Sequence, residues 1–178
     1  MKKLGLIITV VLMVCLLSAC GHSPTKEINE AIQEKDTNKA LELIESASLE
    51  DLDRPSHNGI EQFFVQIFDT MDPTDYPILE ATYRGNYEVT KALVDKGVNV
   101  NVLDIDNQTP LIYILYSYSE DKYKAANYLI DNGADITIVD DFNKTALDYA
   151  EEKDVLLLEK YPELEQERIE FIERLKQL

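Results

Sequence analysis

The 178-residue chain sets 34 Asp and Glu against 17 Lys and Arg, a formal net charge of −17 at pH 7. With 45% hydrophobic and 29% charged residues it has the composition of a folded domain, which excludes wholesale disorder, and its length points to one domain. It has no basic stripe to neutralise phosphates, so nucleic acid is excluded as the expected partner, while a basic protein would be attracted.

The N-terminal "MKKLGLIITVVLMVCLLSAC" reads as a secretory signal over residues 1–19. Lys2 and Lys3 form the positive region, Leu4 to Leu17 the apolar run, and Ser18-Ala19 the small-residue site. The run falls short of the roughly 20 apolar residues that a spanning helix needs. "LSAC", Leu17 to Cys20, resembles the lipobox of bacterial lipoproteins. The resemblance implies cleavage before Cys20 and acylation of its thiol. Two or more chains on Cys20 would hold the protein stably on a membrane. The expected location is the outer face of the bacterial plasma membrane, or an outer membrane where one exists. Cys15, the only other cysteine, would leave with the signal, so no disulfide is expected. Loss of Lys2 and Lys3 takes the charge to −19.

A polar tether follows over residues 20–27. The spacing of Ile28, Ala31 and Ile32, then Ala40, Leu41, Leu43 and Ile44, predicts two short helices broken near Lys35-Asp36. "DRPSHNG" reads as a loop, and "IEQFFVQIF" as one helix face. "TPLIYILYSY", Thr109 to Tyr118, has the composition of a strand. Its place in a longer pattern predicts a helix instead. Pro77 and Pro110 stand 33 residues apart, and Gly97 and Gly133 stand 36 apart, which gives a 33-residue period with three residues inserted in the middle copy.

Thr109-Pro110-Leu111, with Tyr76-Pro77-Ile78 and Thr145-Ala146-Leu147 as degraded copies, resembles the opening of an ankyrin repeat. Ala81 and Ala150 fit the small residue of a first helix, and Gly85 its end. Val89, Leu93, Val94, Leu129 and Ile130 fit the second helix; Gly97 and Gly133 fit the glycine after it; Asp104 and Asp140 fit the aspartate of the finger. The usual histidine after TPL is replaced by Leu79, Ile112 and Asp148, so its network between repeats is expected to be missing. The implied fold is an all-α helix-pair solenoid with short β-hairpin or loop fingers and a C-terminal capping helix. Its domain would span residues 28–178: an N-terminal capping repeat at 28–55, an inserted loop and helix at 56–74, repeats at 75–107 and 108–143, and a degenerate repeat with cap at 144–178. In that cap Leu164, Ile169, Ile172 and Leu175 are expected to face the stack. Pro at the first helical position needs no donor there, a preceding Thr caps the helix, and Gly suits the left-handed position past a helix end.

Catalytic patterns are sparse. His22 and His57 lie in polar segments without metal-ligand spacing, and no G-x-S-x-G or phosphate-cradling loop occurs. No catalytic residue, metal or cofactor is expected. Acidic pairs such as Asp104/Asp106, Asp140/Asp141 and Glu151/Glu152 leave an alternative, a cell-envelope hydrolase using two carboxylates. The leading expectation is a non-enzymatic, monomeric, membrane-tethered module that binds a basic protein, either as an immunity or inhibitor protein against a secreted toxin or as an envelope scaffold. The resemblance places partner contacts at finger tips and first helices: Tyr83, Leu103, Asp104, Ile105, Tyr116, Tyr118, Val139, Asp140, Asp141 and Phe142. Apolar side chains at fingertips gain little from folding, and tyrosine gives large contact area at low entropy cost.

Overall fold

The computed structural model describes residues 24–56, 76–152 and 155–178. The signal, Cys20, His22, His57 and the helix expected at residues 60–68 lie outside the described residues. The described chain forms α1 (Pro24–Gln33), α2 (Thr37–Ser46), α3 (Leu49–Leu52), α4 (Pro77–Tyr83) and α5 (Tyr87–Asp95). It continues with α6 (Pro110–Tyr116), α7 (Lys122–Asp131), α8 (Ala146–Glu151), α9 (Val155–Lys160) and α10 (Leu164–Leu175). No strand occurs among the described residues, so the fingers are of the loop kind. The protein is an all-α helix-pair solenoid.

Two parallel rows build it. The first helices α1, α4, α6 and α8 touch in that order, as do the second helices α2, α5, α7 and α10. Each repeat thus buries the apolar face its neighbour cannot cover alone. α1 starts at Pro24, inside the segment read as a tether, because Thr25 is fully buried and its hydroxyl donates to the Asp51 carbonyl at 2.5 Å.

α6 explains the misleading look of "TPLIYILYSY". It packs against α4, α7 and α8, and every residue from Pro110 to Leu115 is buried. A helix enclosed on all sides is apolar on all sides, so its composition resembles that of a strand. Its direction is set at Thr109, whose hydroxyl accepts from Ile112 N at 3.1 Å, and by Pro110 in the first turn. α8 starts with a full capping box between Thr145 and Asp148. Full burial of a Leu or Ile contributes about 1.5–3 kcal/mol. Leu79, Leu93, Leu111 and Ile114, all completely buried, therefore carry much of the stack.

The C-terminal end departs from expectation in its phase. α10 takes the second-helix place beside α7, with α9 as an extra helix before it. Leu164, Phe171 and Leu175 face inward, whereas Ile169 is exposed. Both stripes fit helical spacing. The choice falls to Phe171 because its ring meets Tyr123 of α7 at 5.6 Å, and Arg174 is held by Asn127 at 2.5 Å and Asp131 at 2.6 Å on the same helix.

The insertion of the third repeat, around Ser117 to Asp121, leans on the helix break of the second. Ser119 donates to the Gly85 carbonyl at 2.8 Å, and a Cβ on Gly85 would run into the Ser119 side chain. Gly85 has φ +67 and Gly133 has φ +92, where alanine costs about 1 kcal/mol, but a Cβ on Gly133 meets open space. Gly85→Ala is therefore expected to lower the urea midpoint clearly more than Gly133→Ala, and adding Ser119→Gly should recover part of the excess. Equal losses at both glycines would remove this inter-repeat contact from the account.

Candidate functional site

Two fingers join the helix pairs, one between α5 and α6 and one between α7 and α8. In the first, Asp104 Oδ1 accepts the N–H groups of Asp106 at 2.9 Å and Gln108 at 2.7 Å. In the second, Asp140 Oδ1 accepts those of Phe142 at 3.0 Å and Lys144 at 2.9 Å. Each carboxylate thereby folds its own finger into a tight turn, closed by Asn107 at φ 58 and Asn143 at φ 59. Asparagine is among the few non-glycine residues that visit this left-handed region readily.

The second oxygen of each aspartate ties the turn to the helix that follows. Tyr113 donates to Asp104 Oδ2 at 2.6 Å, and Tyr149 to Asp140 Oδ2 at 2.6 Å. Gln108 joins the two fingers: its Nε2 lies 3.2 Å from Asp140 Oδ2 and 3.2 Å from the Tyr149 hydroxyl, while its Oε1 accepts from Tyr116 at 3.0 Å. Above this network the rings form a ladder. Tyr83 meets Tyr113 edge-on at 5.7 Å, Tyr113 meets Tyr116 at 5.3 Å, and Tyr116 meets Tyr149 at 5.7 Å. The missing histidine network thus has a substitute made of tyrosine, aspartate and glutamine.

Electrostatics follow from these contacts. Burial pushes the Asp104 carboxyl up, outweighing the bonds from Tyr113 and the turn N–H groups, and nearby Asp106 adds to the rise. Burial also raises Asp140, but the bonds from Tyr149, Lys144 N and Gln108 win and hold it below the ordinary carboxylate range. Burial first, then hydrogen bonding to Asp104, lifts the Tyr113 hydroxyl above its usual range, and burial lifts Tyr116 and Tyr149 as well. All three phenols therefore remain neutral donors at physiological pH.

The sequence-predicted partner residues separate into two groups. Leu103, Ile105, Val139 and Phe142 project from the finger tips at 42%, 55%, 49% and 61% exposure, and Asp141 is exposed with them. Tyr83 and Tyr118 are also open. Asp104 and Asp140 instead turn inward and shape the fingers, and Tyr116 is half-buried with its hydroxyl on Gln108. The polar atoms of these three are engaged within the fold, where they shape the fingers and join them to the helices. Tyr118 lies past the C-terminal end of α6, whereas the first finger leads into its N-terminal end and is bonded to the second, so the insertion and the tips do not form one patch.

Sequence reasoning missed Gln108, whose neighbour pattern gives no signal, and the tie between fingers. Asp141 N donates to the Asp106 carbonyl at 2.9 Å, and Asn107 Nδ2 to Asp141 Oδ1 at 2.7 Å. At the finger bases, Asn101 donates to the Gly133 carbonyl at 3.0 Å and accepts from Asp135 N at 2.8 Å. It also missed a groove of about 340 Å³ beside the insertion, lined by Tyr118, Lys122, Tyr149, Glu152, Val155 and Leu156. Of the acidic pairs of the hydrolase alternative, Asp104 and Asp140 are engaged in turns, Glu151 pairs with Lys176 at 2.7 Å, and Glu152 pairs with Lys144 at 2.5 Å. No cluster of three or more metal-ligating side chains occurs among the described residues.

The sequence profile of the family described as "Ankyrin repeats (3 copies)" matches residues 28–140 and, in overlap, residues 78–161. Among curated proteins no match is found.

Replacing Asp140 by Asn puts an amide where two donors point, so at least one buried bond is lost. Asp140→Asn is expected to cost about 2–3 kcal/mol at pH 7. A carboxyl held below its ordinary value contributes stability that is present above that value and lost as the pH falls through the depressed one. The gap between wild type and variant in urea denaturation should therefore narrow below pH 3.8. A gap that widens on acidification would reverse the assignment.

Proposed function

The chain belongs to the ankyrin-repeat family, a family of protein–protein interaction modules, and we propose that it is a membrane-tethered, non-enzymatic module that captures a basic protein on its fingers. The single observation that carries this reading is the row of exposed apolar tips, Leu103, Ile105, Val139 and Phe142, held out by the turn-forming carboxylates of Asp104 and Asp140. Exposed apolar groups on a rigid support mark contact surfaces rather than core. The excess of acid over base supplies attraction toward a cationic partner and raises the encounter rate.

Tethering rests on the lipobox-like "LSAC", with Cys20 as the acylated residue. On an outer membrane face, the module is placed to intercept secreted proteins, which suits an immunity or inhibitor role against a basic toxin. An envelope scaffold is the second form of the same reading. A toxin coding sequence beside this one favours the first.

Two measurements check the proposal. Affinity capture with the tethered protein at low salt is expected to retain a basic protein that raised salt releases, and Phe142→Asp with Ile105→Asp should abolish retention. Retention of nothing, or equal retention by the variant, would defeat the reading. Cys20→Ala is expected to abolish labelling by radioactive palmitate and to release the protein from the membrane fraction; unchanged labelling would defeat the tether.

A further inference from the structure

The two fingers carry a charge pattern that narrows the partner. Between Val98 and Thr109 and between Ala134 and Thr145 stand five aspartates, Asp104, Asp106, Asp135, Asp140 and Asp141, against one cation, Lys144. The tips alternate with them: Leu103 and Ile105 flank Asp104, and Val139 and Phe142 flank Asp140-Asp141. Because the fingers are bonded to one another at Asp106–Asp141, Asn107–Asp141 and Asn101–Gly133, they form one plate rather than two independent loops. Its apolar teeth are fixed relative to its charges before any partner arrives. A plate already ordered loses little further freedom on binding.

We infer that this two-finger plate receives an amphipathic basic segment of the partner, seating its apolar side chains on Leu103, Ile105, Val139 and Phe142 and its cations on Asp106, Asp135 and Asp141. The inference rests on the interaction-module reading and adds the chemistry of the ligand and its place. Asp104 and Asp140 act from behind: their oxygens hold the turns, and their proximity deepens the negative potential at the tips. Thr137 holds Asp135 below the ordinary carboxylate range by two hydrogen bonds, so its charge is secure at neutral pH. Lys144, at the base of the second finger, pairs with Glu152 at 2.5 Å. Charge complementarity also selects this plate over another open apolar patch, Tyr118, Val155 and Leu156. The groove at that patch holds one lysine and one glutamate, so its charges cancel.

The test is fluorescence anisotropy of a labelled helical peptide of Leu and Lys at amphipathic spacing against the full chain in detergent. Three comparison peptides serve: a scrambled order of the same residues, a Leu/Glu counterpart, and an all-Lys chain. The amphipathic basic peptide is expected to bind tightest, to weaken with salt, and to lose about tenfold in affinity with Ile105→Ser or Phe142→Ser. These side chains are exposed, so the variants should keep the wild-type circular dichroism and melting curve. Val155→Ser with Leu156→Ser should leave binding within about twofold. The inference is overturned if the scrambled or all-Lys peptide binds equally well, if the finger variants bind unchanged, if the Val155/Leu156 variant loses binding instead, or if no peptide binds. Absence of peptide binding beside a captured natural partner would overturn this inference alone and leave the module reading standing.

Discussion

One carboxylate, that of Asp140, accepts from two backbone N–H groups of its own turn, from the Tyr149 hydroxyl and from Gln108 of the preceding finger. Hydrogen bonds to a charged group contribute about 1.5–3 kcal/mol each, well above neutral ones, and an unsatisfied buried carboxylate would cost more than any of them contributes. The residue therefore has one acceptable conformation, and finger, helix start and neighbouring repeat must all agree with it. Asp104 repeats the arrangement one repeat earlier with Tyr113, without the fourth donor. The two equivalent aspartates shift in opposite directions: burial, with nearby Asp106, prevails at Asp104, and hydrogen bonding prevails at Asp140.

From this constraint the surface follows. When the aspartate of a turn faces inward, its neighbours in sequence must face outward. Ile105 and Leu103 are exposed because Asp104 is engaged, and Val139 because Asp140 is. The exposed teeth are thus a consequence of polar satisfaction beneath them, which is how a small solenoid presents apolar groups without collapsing onto them. Bonds between successive fingers then turn separate loops into one surface, at the cost of little buried area.

Elsewhere the stack is continued by individual solutions rather than by strict repetition. The break between first and second helix is Lys35 at φ 61 in the first pair and Gly85 at φ +67 in the second. In the third pair it is an extended Ser117, and Ser119 then bonds back to Gly85. The fourth pair places α10 in the second-helix row after the added helix α9. Each solution satisfies the same requirement, that exposed backbone groups at a helix end find a partner.

The sequence by itself determined the helix-pair architecture and its register. The period of Pro77 and Pro110 and the glycines at 97 and 133 report backbone requirements that only a few residue types meet, and such requirements are written locally. Its resemblance to the repeat family also marked Leu103, Ile105, Val139 and Phe142 as finger tips. Tertiary structure alone decided the rest. Whether Asp104 and Asp140 face a partner or the fold depends on tyrosines nine positions later and on a glutamine of the adjoining finger. Whether Ile169 or Phe171 enters the core depends on Tyr123, because a helix with two apolar stripes carries no internal preference between them. Local chemistry selects conformations, but only a packed neighbour can choose which of two equivalent faces is turned toward it.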